Sequence, residues 1–321
     1  TSSKVVAKWK LLRETGSVSR VAAIDCGTNS IRLLIADVSG SNLREIYRGM
    51  EIVRLGQGVD KNKSFHPDAI DRTLRATELF AGEIKRRGAQ AIRFCATSAT
   101  RDASNRELFI DGVKAILGIE PEVISGEQEA QLSFIGATHQ LNQMGSPYLV
   151  VDIGGGSTEF VYGMKTVEAA VSENIGCVRM SERHLNSSPP SKAAIDLAIA
   201  DIDKAIKNAA TKVRISSAKT LVAVAGTATT VAAAALGLDS YDRDLIHLSR
   251  ISAEKTHQVC QNFLTLERSE IASLGYMHPG RVDVIAAGSL VLSRIMALSG
   301  ASEFVASESD ILDGMALLLA K

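Results

Sequence analysis

The fold of this chain is decided by a short motif that occurs twice. The first copy is Ile24-Asp25-Cys26-Gly27-Thr28-Asn29-Ser30, and the second is Val151-Asp152-Ile153-Gly154-Gly155-Gly156-Ser157. Both read apolar-Asp-x-Gly-x-x-Ser, and each copy lies between two apolar runs. The two aspartates are 127 residues apart, at positions 25 and 152. Two copies separated by about one domain length predict two like-folded domains whose hairpin tips face each other across a cleft.

Strand and helix patterns alternate along the sequence on both sides of the motifs. Apolar runs at 21–24 and 32–36 predict the first hairpin, and apolar residues spaced by three, four or seven after Pro67 predict a helix that ends at Gly88. Further strands are predicted at 91–96, 122–125, 148–153, 159–162 and 220–225, and further helices at 106–117, 127–141, 192–214, 227–236, 282–298 and 309–319. The helix at 192–214 is expected to bury Ile195, Ile199, Ile202 and Ile206. This alternation is typical of the α/β class with mixed sheets.

Composition restricts the class of protein. The chain has 321 residues, which at about 150 residues per domain predicts two domains. Hydrophobic residues make up 45% of the chain and charged residues 22%, and 36 basic residues balance 36 acidic ones. Because the net charge is zero, neither nucleic acid nor a membrane surface is an expected partner. The sequence shows no apolar run of about 18 residues and no secretory signal pattern, so the expected location is the cytoplasm.

The same patterns suggest where the domains lie. Residues 1–20 are polar and basic and are expected to be a leader or an added extension, residues 21–130 the first domain, and residues 131–321 the second. The last helix, at 309–320, is expected to pack back on the first domain.

The cysteines have neither CxxC spacing nor a histidine at metal-ligand spacing, which argues against a zinc site or a disulfide scaffold.

The repeated motif has the residue types that bind phosphate and a hard cation. Glycine at a hairpin tip lets backbone N–H groups approach an anion, and hydroxyl groups add donors, so 154–158 is a candidate phosphate cradle. An aspartate just before the tip, Asp25 or Asp152, can hold Mg²⁺ beside the phosphate, and Glu159 can be a second acidic ligand. A single copy can also be a plain turn between strands, but duplication with an aspartate in each copy favours a site.

Two other segments fit the same cleft. The run Ala96-Thr97-Ser98-Ala99-Thr100-Arg101 follows a strand, where open α/β sheets bind ligands, and Arg101 is expected to clamp a phosphate. The alternative is a helix-capping Ser/Thr cluster followed by a solvated arginine. The run Gly226-Thr227-Ala228-Thr229-Thr230 places backbone donors at a helix N-terminus, although close helix packing through its alanines explains it almost as well.

Together these motifs resemble those of the exopolyphosphatase and guanosine pentaphosphate phosphatase family, within the superfamily that contains actin, hexokinase and acetate kinase. The matching segments are Asp25-Cys-Gly-Thr-Asn-Ser, Ala96-Thr-Ser-Ala-Thr-Arg101, Ile124-Ser-Gly-Glu-Gln-Glu-Ala130, Asp152-Ile-Gly-Gly-Gly-Ser-Thr-Glu159, Gly226-Thr-Ala-Thr and Arg281-Val-Asp-Val-Ile-Ala-Ala-Gly288. The resemblance implies two ribonuclease-H-like (actin-like ATPase) domains with mixed sheets flanking an interdomain cleft. It also implies hydrolysis of terminal phosphoanhydride bonds with Mg²⁺ or Mn²⁺.

The resemblance further implies roles for individual residues. The family's proposed general base falls on Glu129, whereas Glu127 lies two residues earlier; from the residues alone, Glu129 would only complement the helix dipole. The expected metal ligands are Asp152, Glu159 and Asp25. The expected phosphate-binding residues are Asp25, Gly27, Thr28, Asn29, Ser30, Thr97, Ser98, Arg101, Gly154, Gly155, Gly156, Ser157, Thr158, Gly226 and Thr227.

Several functions remain open at this stage. Exopolyphosphatase activity, which releases orthophosphate from inorganic polyphosphate, is the preferred prediction, and 5′-phosphohydrolysis of guanosine pentaphosphate is the alternative within the same class. A small-molecule kinase and a non-catalytic, actin-like nucleotide-binding protein are the other candidates. The resemblance also implies a homodimer. Many relatives carry a further helical C-terminal region, so a sequence ending at Lys321 implies the short two-domain form.

Overall fold

The computed structural model describes residues 18–141 and 145–320. Positions 1–17 of the expected leader therefore lie outside the described residues. The helices are α1 (Val59–Asn62), α2 (Pro67–Arg87), α3 (Ser98–Asp102), α4 (Arg106–Leu117), α5 (Gly126–Thr138), α6 (Cys177–Arg183), α7 (Lys192–Ala210), α8 (Ala225–Leu236), α9 (Arg243–Ile246), α10 (Ala253–Thr265), α11 (Arg268–Ser273), α12 (Ile285–Ser299) and α13 (Ile311–Leu319). Within the described residues, no helix is long and apolar enough to cross a membrane.

The first sheet has five strands in the order β3-β2-β1-β4-β5. These strands are β1 (Ser19–Cys26), β2 (Ser30–Ser39), β3 (Asn42–Ile52), β4 (Ala91–Ala96) and β5 (Glu122–Val123). The first three are joined by hairpins and run antiparallel, whereas β4 lies parallel to β1 and β5 lies parallel to β4. Two parallel neighbours such as β1 and β4 need a crossover connection. Helix α2, which follows β3 in the chain, is part of the connection that leads to β4.

The second sheet repeats this arrangement. Its order is β10-β11-β9-β6-β7-β8, with β6 (Tyr148–Ile153), β7 (Thr158–Gly163), β8 (Val167–Glu173), β9 (Thr220–Val224), β10 (Arg250–Ser252) and β11 (Glu303–Ala306). Read from β8, it shows three antiparallel strands followed by two parallel ones, as the first sheet does when read from β3. An edge strand, β10, is added antiparallel to β11. The predicted pair of α/β domains with mixed sheets is therefore confirmed.

The two copies of the repeated motif form equivalent hairpin tips. Gly27 N donates to Ser30 O at 2.9 Å, and Gly154 N donates to Ser157 O at 3.0 Å. Asp25 lies opposite Arg32 in the register of β1 and β2. Asp152 lies opposite Glu159 in the register of β6 and β7. The duplicated sequence thus gives the same turn in both domains but places different side chains across from the aspartate.

Most helix boundaries follow from local sequence signals. Helix α2 begins at Pro67, whose missing N–H is tolerated in the first turn, and ends at Gly88, which has a φ of 70°. Helix α4 covers the predicted 106–117, and Gly118 ends it in the same way. Helix α7 is shorter than predicted and ends at Ala210. Its fully buried stripe contains Ala198, Ile202, Ile206 and Ala209, whereas Ile195 and Ile199 are only partly buried.

Helices α5 and α13 lie between the two sheets and pack against each other. Helix α5 packs on strands of the second sheet. The domain boundary expected at residue 130 falls inside this helix, because α5 extends from Gly126 to Thr138. Helix α13 packs Leu312 and Met315 against β1 and β2 of the first sheet. The two helices touch closely, because a Cβ on Gly136 would lie 1.7 Å from the carbonyl oxygen of Asp310. Position 136 therefore has no room for a larger residue.

Candidate active site

The two hairpin tips lie in one cleft between the domains. A Cβ on Gly155 would lie 2.8 Å from Thr28 Cβ, and a Cβ on Gly156 would lie 2.8 Å from Thr28 Oγ1. Most of the expected site residues line this cleft: Asp25, Gly27, Thr28, Asn29, Ser30, Thr97, Ser98, Glu129, Asp152, Gly154, Gly155, Gly156, Ser157, Gly226 and Thr227. The structure thus brings together segments from five separate places in the sequence.

Three expected residues do not line the cleft directly. Thr158 is fully buried, and its hydroxyl donates to the carbonyl of Ile175 at 3.0 Å. Glu159 is also fully buried, on the strand beside Asp152. Arg101 donates to Glu129 Oε2 at 2.8 Å and to the carbonyl of Ile124 at 2.9 Å. Arg101 therefore contacts the candidate base, where a phosphate clamp was expected.

Glu129 projects into the cleft from the first turn of α5. The capping box formed by Ser125 and Gln128 begins this helix and so fixes where Glu129 lies. Glu129 is buried, whereas Glu127 is exposed, so only the later acid lies at the cleft. Burial raises the pKa of Glu129 to about 7; Arg101 opposes this shift, and the Asp152 carboxylate adds to it.

Asp152 and Glu159 form a buried acid pair. Asp152 Oδ2 accepts a hydrogen bond from Ser133 Oγ at 2.5 Å, and Glu159 Oε1 accepts one from Ser172 Oγ at 2.7 Å. Glu159 Oε2 is buried without a hydrogen-bond partner among the described residues. Burial raises the pKa of Asp152 to about 6 and raises that of Glu159 well above its ordinary value, with neighbouring carboxylates adding to both shifts.

Asp25 has a different environment from its counterpart, Asp152. Arg32 Nη2 lies 2.6 Å from Asp25 Oδ2, and the Arg32 guanidinium also pairs with Asp310. Burial raises the pKa of Asp25 even though Arg32 opposes the shift. The carboxylate of this expected metal ligand is therefore already engaged by an arginine. Arg32 was not among the predicted site residues, because nothing in the sequence showed which acid it would face.

Arg281 is a second cation in the cleft that was not predicted as a site residue. Its guanidinium packs against the helix N-terminus at Gly226, where a Cβ would lie 1.5 Å from Nη1. Arg281 forms no ion pair with any residue in the described ranges, and burial lowers its pKa. A partly buried arginine without an acidic partner is well suited to bind an anion.

Arg179 connects the second hairpin to the first domain. Its Nε donates to the carbonyl of Gly156 at 2.7 Å, its Nη2 donates to Asp102 Oδ2 at 2.6 Å, and its Nη1 pairs with Asp60. The side chain is 6% exposed. Sequence reasoning missed this residue, because its partners lie 77 and 119 residues away.

The acid pair of Asp152 and Glu159 can supply carboxylate oxygens to a magnesium ion. Within residues 18–141 and 145–320, no three His, Cys, Asp or Glu side chains converge as a complete metal site. Mg²⁺, however, usually keeps several waters and is bound through one or two carboxylates together with substrate phosphates. Asp152 at the cleft and the unpartnered oxygen of Glu159 supply this kind of donor set.

Comparisons with known proteins agree with this geometry. The model of the Ppx/GppA phosphatase family matches residues 34–316. "Exopolyphosphatase 2" of Mycobacterium tuberculosis is 44% identical over 317 residues, covering 95% of this chain and 99% of that protein. A solved structure of an exopolyphosphatase-like protein is 45% identical, with a TM-score of 0.91 and coverage of 94% and 98%. A Ppx/GppA family member from Aquifex aeolicus is 26% identical, with a TM-score of 0.78 and coverage of 94% and 98%.

Proposed function

Since the chain belongs to the Ppx/GppA phosphatase family, we propose that it is an exopolyphosphatase. It hydrolyses the terminal phosphoanhydride bond of inorganic polyphosphate and releases orthophosphate. The observation that carries this proposal is the meeting of two equivalent glycine-rich hairpin tips in one cleft that also contains the buried carboxylate of Glu129. The 44% identity to a protein named exopolyphosphatase supports it.

The terminal phosphates are held by the two hairpin tips. The tip glycines line the cleft, and Gly155 and Gly156 let the second tip approach Thr28 of the first, so that backbone N–H groups of both tips can face one anion. Thr28 Oγ1 is buried, has no hydrogen-bond partner among the described residues, and belongs to a residue that lines the cleft. Arg281 adds a positive charge that no described carboxylate neutralises by direct contact. These groups orient the substrate and offset its charge, which is most of what phosphoryl transfer requires.

Glu129 activates the attacking water. Because Arg101 occupies Oε2, the other oxygen, Oε1, is left to accept the proton of a water in the cleft. The water oxygen forms the new bond to the terminal phosphorus, and the bridging oxygen leaves with the shortened chain. Arg101 is a positioning residue in this step, since it fixes the orientation of the carboxylate without touching the substrate.

The acid pair implies a divalent cation. Asp152 and Glu159 would hold Mg²⁺ or Mn²⁺, which when bound neutralises phosphate charge and polarises the phosphoryl oxygens. Without a cation, a polyphosphate end would approach several buried carboxylates and be repelled. This chain's own contribution is to keep the two acids close together and largely shielded from solvent.

Orthophosphate release from medium-chain polyphosphate, with and without Mg²⁺, tests the proposed function. We expect release in the presence of Mg²⁺ and its loss in excess chelator, with recovery when the cation is restored. No release at any cation concentration would contradict the exopolyphosphatase proposal. Full activity in excess chelator would retain the hydrolase but remove the cation from the mechanism.

A second pocket favours guanosine pentaphosphate as an alternative substrate. It adjoins the cleft, sharing Arg32 and Arg281 with it, and has a volume of about 480 Å³. Its walls include Tyr241, Tyr276 and Met50. Inorganic polyphosphate has no apolar part to fill such a space, whereas a nucleoside has.

Parallel phosphate-release assays on the two substrates distinguish these functions. If the nucleotide is the substrate, Tyr276→Ala should raise its KM and leave polyphosphate hydrolysis nearly unchanged. If polyphosphate is the substrate, the parent should release orthophosphate from it with the higher kcat/KM.

The homodimer and the cytoplasmic location expected from the sequence remain predictions. Light scattering after size-exclusion chromatography tests the homodimer.

A further inference from the structure

Each acid of the buried pair has one oxygen occupied by a serine hydroxyl. Ser133 Oγ donates to Asp152 Oδ2 at 2.5 Å, and Ser172 Oγ donates to Glu159 Oε1 at 2.7 Å. The serines belong to different elements, α5 and β8. Consequently, Asp152 Oδ1 and the unpartnered Glu159 Oε2 are the oxygens left for a cation.

Ser133 uses its hydroxyl differently from three threonines on helices α2 and α5. Thr73, Thr77 and Thr138 each donate to the carbonyl four residues earlier in their own helix. This is a common contact of a helical hydroxyl, because it satisfies the donor within the same helix. Ser133 instead donates to a carboxylate of the second sheet, although it is fully buried in the middle of α5.

Ser133 also lies one helical turn after Glu129. Residues four apart in an α-helix share one face, so the helix that carries the candidate base also carries the donor to Asp152. The position of α5 therefore sets the base and the acid pair relative to each other. A contact that only stabilised the fold would not need to end on an acid that lines the cleft.

We propose that Ser133 is a positioning residue of the cation site: it fixes the Asp152 carboxylate so that Oδ1, and not Oδ2, is offered to the divalent ion. This inference rests on the proposed function, which assigns the ion to Asp152 and Glu159. Without the Ser133 hydroxyl, the carboxylate can rotate about its Cβ–Cγ bond, and the cation loses a preoriented ligand. Partners that orient metal ligands typically contribute about 10–100-fold to metal affinity or activity.

The direct test is Mn²⁺ binding measured by calorimetry on the full chain, without substrate. Ser133→Ala should raise the Kd for Mn²⁺ by about 10-fold or more. The matched control is Ser299→Ala, which removes a buried hydroxyl that donates to the carbonyl of Met296 at the end of α12. The control should bind Mn²⁺ within about twofold of the parent, since no cleft residue depends on that contact.

A kinetic measurement separates positioning from general damage. In Ser133→Ala the Mg²⁺ concentration for half-maximal activity should rise, while the KM for polyphosphate at saturating Mg²⁺ stays near that of the parent. If Ser133→Ala does not fold, as judged by circular dichroism, Ser133→Cys replaces it, because a thiol fills the space but is a weak donor. It too should weaken Mn²⁺ binding.

The outcomes distinguish this inference from the proposed function. Parental Mn²⁺ affinity in both Ser133 variants, with a parent that hydrolyses polyphosphate, would overturn the role of Ser133 alone. A parent that binds no Mn²⁺ and hydrolyses polyphosphate fully in excess chelator would overturn both the cation and the role of Ser133. A parent that binds Mn²⁺ in the manner described but hydrolyses no polyphosphate would overturn the function and leave Ser133 as part of a cation site.

Discussion

Arg32 and Glu159 occupy the same position in the two copies of the hairpin, one a basic and the other an acidic residue. Arg32 lies opposite Asp25 in the first sheet, and Glu159 lies opposite Asp152 in the second. In the first domain the aspartate is therefore neutralised by an arginine at 2.6 Å, whereas in the second it faces another acid. The duplicated hairpins have the same backbone but differ in the residue that faces the aspartate, which is why the proposed function assigns the cation to the second hairpin.

This difference predicts which aspartate governs the cation. Asp152→Asn should lose most Mn²⁺ binding and cation-dependent activity, because it removes half of the acid pair. Asp25→Asn should keep its Mn²⁺ affinity but unfold at lower urea concentration, since Arg32 loses one of its two partners. Calorimetry with Mn²⁺ and urea unfolding check the two variants. Equal loss of Mn²⁺ binding in both would place Asp25 among the ligands, as the sequence first suggested.

The contact between Gly226 and Arg281 predicts a loss of activity from adding one methyl group. In Gly226→Ala the new Cβ would lie 1.5 Å from Arg281 Nη1, so the guanidinium must leave its place. A charge-assisted contact is worth about 1.5–3 kcal/mol, or about 10–150-fold in kcat/KM. Steady-state kinetics should show a similar loss for Gly226→Ala and Arg281→Ala. Parental activity in Gly226→Ala would mean that Arg281 does not bind the substrate.

The sequence predicted the elements that have strong local signals. Strand β4 and helix α4 have the predicted bounds, since an apolar run or a periodic stripe ends at a glycine or a polar turn. Four strands of the described residues, β3, β8, β10 and β11, were missed. Strands β3 and β8 lie at a sheet edge and are mostly half-exposed, so they lack the apolar character by which strands were recognised. Strands β10 and β11 have only three and four residues, which is too short for a pattern.

The two hairpin turns could be predicted because their geometry depends on the local backbone, and their role in binding phosphate stays a prediction. The arginines of the cleft could not, because their roles depend on distant partners. Arg101 was assigned to a phosphate but meets Glu129, 28 residues away, and Arg32 reaches Asp310, 278 residues away. Pairings across such separations come from the packing of the two domains and leave no spacing pattern in the chain.

The contact of Arg101 with Glu129 predicts a catalytic effect larger than the structural one. Arg101→Ala releases a carboxylate oxygen held at 2.8 Å, and we expect kcat to fall by about 10–150-fold, corresponding to roughly 1.5–3 kcal/mol. Arg106→Ala, at an exposed arginine on α4, is the matched control and should keep parental kinetics. Kinetics and melting temperatures of both variants check this. A kcat for Arg101→Ala equal to that of the control would remove Arg101 from the site.

The ion pairs of Asp60 predict how stability depends on pH. A hydrogen bond from Arg183, aided by the nearby Arg179, lowers the pKa of Asp60 from 3.8 to about 2. A lowered folded-state pKa contributes stability above the unfolded value that is lost as pH falls through the folded value. Asp60→Asn should therefore cost about 1–2 kcal/mol at pH 7, after allowance for solvent screening. The difference from the parent should narrow between pH 5 and pH 3 in urea unfolding. A difference that does not change with pH would contradict this assignment.

The rate of orthophosphate release by Glu129→Gln tests the central claim most directly. The substitution keeps the shape of the side chain but removes the basic carboxylate, and general-base catalysis typically contributes a factor of about 10²–10⁴. We predict that Glu129→Gln folds, binds polyphosphate and hydrolyses it at least about a hundredfold more slowly than the parent. The exposed neighbour Glu127→Gln should stay within about twofold of the parent, as expected for a surface substitution. Parental turnover by Glu129→Gln, with or without loss of activity in Glu127→Gln, would contradict the account.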